Sequence, residues 1–123
     1  MSQNENVTAS LQNNTQYTLT YQSVNVEWGN YYNHGTTIDA NSTVDIFYAV
    51  GAEGSGTGCQ GSVIYGFTDQ NGHQQTITLT YEDPYIGSNS FGVTNLPNGL
   101  SGSANQPSGG PVTVTFSLSG TVS

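Results

Sequence analysis

Val112-Thr113-Val114-Thr115-Phe116-Ser117-Leu118 places an apolar residue at every second position, with only Thr or Ser between. Successive side chains of a strand point to opposite faces, so this pattern buries Val112, Val114, Phe116 and Leu118 on one side and leaves a hydroxyl surface on the other. The same period recurs upstream: Val7, Ala9 and Leu11; Tyr17, Leu19 and Tyr21; Val24, Val26 and Trp28; Val44, Ile46, Tyr48 and Val50; Val63, Tyr65 and Phe67; Ile77, Leu79 and Tyr81. No window of a dozen residues carries an apolar stripe at helical spacing. The expected fold class is therefore all-β, an antiparallel two-sheet β-sandwich of about seven to nine short strands.

Turn signals separate these runs at Gln12-Asn13-Asn14, Gly29-Asn30, His34-Gly35, Asn41-Ser42, Asp69-Gln70-Asn71-Gly72, Pro97-Asn98-Gly99 and Gly109-Gly110-Pro111. Asn71-Gly72 predicts a type I′ hairpin, with positive φ at both central residues, joining antiparallel strands over 60–68 and 74–81. The glycine-rich stretch 51–61 and the Pro- and Gly-rich stretch 96–111 read as long loops. A flexible N-terminus over 1–6 and a single sandwich domain over 7–123 complete the organisation, with no repeat and no second-domain boundary.

The 123 residues include no Lys or Arg, eight acids and two His, for a net charge of −8. The phosphate-neutralising contacts that carry nucleic-acid affinity have no donors here, which excludes nucleic acid, and a polybasic attachment to anionic lipid is excluded likewise. Eight Tyr, four Phe and one Trp supply core material that a disordered chain lacks. Cys59 is the sole cysteine, so no internal disulfide forms; a small buried hydrophobe is its ordinary role, and an intermolecular bridge is the alternative. Residues 1–6 have neither a basic nor an apolar signal region, so the expectation is a protein that is cytosolic at synthesis and, if it acts on membranes, released to act outside the cell.

Catalytic patterns are weak. No Gly-x-Ser-x-Gly elbow precedes a helix, and His34 and His73 sit beside glycines in turns, where solvated histidines are usual. Asp69-Gln70-Asn71-Gly72 opens like a calcium loop but lacks its later acids. Glu82-Asp83 is the remaining candidate for a divalent ion. No enzyme activity, cofactor or metal is expected. The aromatics carry more: Trp28, Tyr31 and Tyr32 lie at or beyond a strand end beside Gly29-Asn30, and Pro84 places Tyr85 and Ile86 in a loop. Such rings either cap the core or present an apolar body with a polar tip to a lipid interface or a sugar face.

In these residues the chain resembles the aegerolysins, small acidic β-sandwich proteins that recognise membrane lipids. Leu11-Gln12-Asn13-Asn14 is similar to the family's opening strand and asparagine turn, and Trp28-Gly29 to its Trp-Gly pair. Ala52-Glu53-Gly54 through Gly61, with Phe67-Thr68-Asp69, is similar to its glycine-rich loop and following strand, and Tyr81 to Asn89 to its aromatic, acid, proline, glycine-serine and asparagine block. The likeness runs from about Val7 to Val93. Departures are Tyr81 and Tyr85 where that block usually has tryptophans, its missing cysteine, and the absence of every basic residue. Actinoporin-like sandwiches are the nearest alternative, but the polar segment Ser2 to Thr8 is too short for their inserting helix.

The resemblance implies a non-enzymatic, haemolysin-related lipid binder that docks on a neutral or zwitterionic membrane as a monomer or homo-oligomer. A separate pore-forming partner is implied if it acts as a toxin or cytolysin. Trp28 matches the family's membrane-facing tryptophan, Tyr31, Tyr32, Tyr85 and Ile86 flank it, and Glu53 matches an acid beside the lipid. Two other readings stand beside it: a structural fibre or coat protein joined through edge strands that no lysine guards, and a carbohydrate-binding module using the same rings.

Overall fold

The computed structural model describes residues 6–51, 58–84, 86–109 and 111–123. Ten strands follow in order: β1 (Asn6–Asn14), β2 (Leu19–Trp28), β3 (Asn30–Asn33), β4 (Thr37–Ile38), β5 (Ser42–Val50), β6 (Cys59–Thr68), β7 (Gln74–Asp83), β8 (Ser90–Thr94), β9 (Leu100–Ala104) and β10 (Val112–Gly120). They form two five-stranded sheets, ordered β3-β5-β1-β10-β9 and β4-β2-β6-β7-β8. The all-β sandwich expected from period two is the fold observed, and the described residues include no helix.

The alternating sets become the interior. Val7, Ala9 and Leu11 of β1 and Val114, Phe116 and Leu118 of β10 are fully buried, facing Val63, Tyr65, Ile77 and Leu79 of the second sheet. A leucine or phenylalanine buried in this way contributes roughly 1.5–3 kcal/mol by removal from water, which is why the pattern alone dictates which face turns inward.

Local geometry departs from the sequence expectations at six places. First, β1 and β10 run parallel, from Val7 opposite Val112 to Asn14 opposite Ser119, so the sheets are not wholly antiparallel. Second, a bulge in β5 opposite Ala9/Ser10 leaves Ile46 without a register partner on β1. It makes Ile46 and Phe47 both buried, and it turns Tyr48 away from the core, breaking the even alternation read across Val44 to Val50. Third, the runs around Tyr21 and Val24 are one strand, β2, interrupted by bulges between Tyr21 and Ser23 and between Val26 and Trp28. Fourth, β9 lies inside the stretch 96–111 that reads as a loop, and β8 precedes it. Fifth, the Asn71-Gly72 hairpin forms as expected between β6 and β7, but with another turn. The Gly72 N–H donates to Asp69 C=O at 3.0 Å, and only Gly72, at φ 81°, is left-handed. This is a type I turn followed by a left-handed glycine, so Asn71 keeps a negative φ. At the N-terminal side, Asn6 already pairs with Val50, one residue inside the stretch expected to be flexible.

Asn13 organises the end where β1 turns into β2. Fully buried, its Nδ2 donates to Tyr17 C=O at 2.8 Å and Asp39 C=O at 3.1 Å. Its Oδ1 accepts from the Thr15 N–H at 3.2 Å and the Thr15 hydroxyl at 2.6 Å. A buried amide with all these bonds made escapes the desolvation penalty of an unpaired one. At the same end the Tyr17 hydroxyl donates to Gln70 Oε1 and accepts from the Val122 N–H at 2.9 Å, tying the hairpin to the C-terminal segment.

Candidate functional site

The aromatic candidates gather at the opposite end. β2 ends at Trp28, and Gly29 turns the chain into β3 of the other sheet with φ 82°. A Cβ here would lie 2.3 Å from the Val50 carbonyl oxygen, so the corner between sheets requires glycine. Val50, Gly58 and Asp83-Pro84 crowd the same end, because a Cβ on Gly58 would meet the Asp83 carbonyl at 1.9 Å. Asn89 fastens the last loop there, its Nδ2 donating to Pro107 C=O at 3.0 Å and Gly109 C=O at 2.6 Å.

The candidates do not share one surface. Trp28, opposite Gln60, is 49% exposed on the outside of the β2-containing sheet. Tyr31 points between the sheets, its ring 5.2 Å from that of Phe47 and 6.4 Å from that of Tyr81, and its hydroxyl donates to Asn33 Oδ1 at 2.8 Å. Burial, then the neighbouring Tyr65, Tyr21 and Tyr81, push its phenol far above the ordinary value. Tyr32, one residue on, faces outward at 52% exposure and stacks on Tyr48 at 6.4 Å. Ile86, beyond Pro84, is 84% exposed. Trp28, Tyr32 and Ile86 thus offer apolar surface at one end of the sandwich, with Trp28 and Tyr32 on opposite outer faces, while Tyr31 belongs mainly to the packing beneath. Glu53 and Tyr85 lie outside the described residues.

Sequence reading missed two contributors. Val26 is 39% exposed on β2, whose far edge beyond Thr20 has no strand partner among the described residues. Tyr48 supports Tyr32 only because of the β5 bulge, which no local signal announces.

Beside Trp28 the same outer face holds a depression of about 270 Å³ lined by Glu27, Gln60, Ser62, Thr80, Glu82 and Ser90. It is acidic and hydroxylated, and the chain has no Lys or Arg to neutralise it. Glu82 faces this depression, whereas the next residue, Asp83, is buried at 2% exposure. Alternation therefore splits the pair considered for a divalent ion. Among the described residues no three His, Cys, Asp or Glu side chains come together. His34 and His73 are exposed, and Cys59 is buried in the core.

No protein-family model matches the chain, and no curated protein matches it in sequence. Solved structures do match in fold. The RahU protein in complex with a TRIS molecule is 19% identical with a TM-score of 0.66, and the match covers 97% of both chains. The lipid-binding protein Nakanori is 14% identical with a TM-score of 0.69, and the match covers 95% of this chain and 71% of Nakanori. At these identities the likeness is one of architecture, and the architecture is an aegerolysin-like β-sandwich.

Proposed function

We propose that this protein is a non-enzymatic membrane-lipid binder that docks by the end of the sandwich carrying Trp28, Tyr32 and Ile86. The observation that carries the reading is the exposure of these three large apolar side chains at one end of a fold shared with the lipid-binding protein Nakanori. Trp and Tyr settle at headgroup depth because the ring is apolar and its tip is polar. A chain without Lys or Arg gains nothing from anionic lipid, so its surface is a neutral or zwitterionic one. The depression bearing Glu27 and Glu82 beside Trp28 suits the ammonium group of a zwitterionic headgroup, with the indole face contributing a cation–π contact. Docking through three side chains does not perforate a bilayer, so toxin or cytolysin activity belongs to a separate pore-forming partner, met outside the producing cell.

The competing fibre reading finds less support, because the β4/β2 edge is blunted without lysine. β2 is bulged twice against β6, which bends it and increases its twist, and β4 beside it is only two residues long. Sedimentation with phosphatidylcholine vesicles, beside electron micrographs of the protein alone, tests the proposal. Co-sedimentation of dispersed protein is expected; protein that stays in the supernatant with every neutral or zwitterionic vesicle, or that forms ordered filaments without lipid, overturns it.

A further inference from the structure

A second concavity lies away from the aromatic end. It is a groove of about 500 Å³ on the outer face of the β2-containing sheet, near the 69–73 turn. From Gln60, opposite Trp28, to Thr68 in the groove is eight residues along β6, about 26 Å at strand rise. Thr18, Thr20 and Gln22 come from the β2 side, and Thr68, Gln70 and Gln74 from the hairpin. Its floor is Gly66, over which the Gln22 amide lies so closely that a Cβ would meet Nε2 at 2.0 Å.

The chemistry of this surface is amide and hydroxyl. Its carboxylate, Asp69, is already engaged: Oδ1 accepts from the N–H groups of Asn71 at 2.8 Å and His73 at 2.9 Å, and Oδ2 from Gln75 Nε2 at 2.9 Å. Part of the rim is held in place before any ligand arrives. Gln70 is fixed between the Tyr17 hydroxyl and the Val122 carbonyl. Gln74 Nε2 donates to Thr68 Oγ1 at 2.9 Å, which leaves the Thr68 O–H to act as a donor elsewhere, near the Gln74 Oε1 acceptor. Groups already ordered lose less freedom on binding, which separates this groove from the rest of the polar sheet face.

We propose that the groove is a second binding site, taking a short neutral oligosaccharide through these side-chain amides and hydroxyls. Anionic ligands find no cation, and an extended peptide would need free backbone groups that a sheet face, unlike an edge, has already spent in its ladder. Adjacent sugar hydroxyls, each both donor and acceptor, complement paired amide and hydroxyl groups, and the volume falls within the roughly 300–1,000 Å³ of small-molecule sites. Because Tyr17 and Phe67 beneath the groove are buried, no ring stacks on the sugar, and affinity should be on the order of millimolar.

The test is a ¹H–¹⁵N titration of the whole protein with maltotriose, cellotriose and mannotriose to about 50 mM, several times the expected dissociation constant. Saturable shifts at Thr18, Thr20, Gln22, Gly66 and Thr68, without movement of the Trp28 indole, are expected with at least one of them. Gln22→Leu, or Thr20→Val where that variant folds less well, should weaken binding about tenfold, and Trp28→Ala should leave it unchanged. No saturable shift with any trisaccharide, shifts centred on Trp28, or shifts indifferent to both groove variants would overturn the site. The result is independent of vesicle binding, which the same variants report separately.

Discussion

The side-chain amide of Gln106 pairs with the backbone of Phe91 as a neighbouring strand would. Its Oε1 accepts from the Phe91 N–H at 3.1 Å, and its Nε2 donates to the Phe91 C=O at 2.7 Å and to Ala104 C=O at 3.1 Å. β8 is an edge strand, and this contact occupies both main-chain groups of a residue whose ring is part of the core. In a chain with no lysine to guard its edges, a glutamine performs part of that work.

Gln106→Ala should therefore destabilise the protein by about 1–2 kcal/mol through loss of these bonds, lowering Tm by roughly 4–10 °C. Amide exchange at Phe91 should accelerate. A melt unchanged within about 1 °C would show that water replaces the glutamine without cost.

Trp28→Ala should abolish vesicle binding with little change in Tm, since half of the indole is in water. Far-UV spectra and melts alongside sedimentation decide this. A Tm fall of about 10 °C, equivalent to ~2 kcal/mol, would make the ring a structural element instead.

Tyr31 and Tyr32 should differ sharply in stability although they are adjacent. Tyr31→Ala removes a ring packed on Phe47 and Tyr81 and should cost about 3 kcal/mol or more. Tyr32→Ala, on the outer face, should cost under about 1 kcal/mol and reduce membrane affinity. Chemical denaturation of the two variants tests the pair; equal losses would contradict the alternation assigned to β3.

Asp69 holds the β6–β7 turn, and its carboxyl lies below the ordinary value of 3.8, first because of the Gln75 hydrogen bond and then the His73 and Asn71 N–H groups. A depressed folded-state value stabilises above the unfolded value and loses that contribution as pH falls through the folded one. Asp69→Asn should thus be less stable than the parent at pH 7, with the gap closing as pH falls below about 4. Melts of both proteins across pH read this directly, and a gap constant down to pH 2 would refute the assignment.

Self-association should rise below about pH 5, where carboxylates begin to protonate and the charge of −8 falls toward zero at the pI near 4.1. With no Lys or Arg, only the two His and the N-terminal amine carry positive charge there, too few to supply strong opposing repulsion. Light scattering across pH should show dispersed protein at pH 7, and large ordered species there would contradict this account of its solubility.

The sequence by itself determined which side of most strands is buried, because a period of two leaves no choice of face once one side is apolar: Val112 to Leu118 and Ile77 to Tyr81 lie as read. It also determined the 69–73 hairpin and the buried state expected of Cys59. The tertiary structure alone decided the parallel pairing of β1 with β10, since alternation specifies a face but not a partner some hundred residues away. It decided that the Gly- and Pro-rich stretch holds β9, whose Gly and Ser residues give no β-propensity signal. At the candidate site, exposure of Trp28 and Ile86 was legible because both leave their strands at a Gly or Pro. The division between Tyr31 and Tyr32, the support of Tyr48, and the polar groove were not. Each depends on a bulge, a corner between sheets or the meeting of three strands, and those are settled by packing rather than by local pattern.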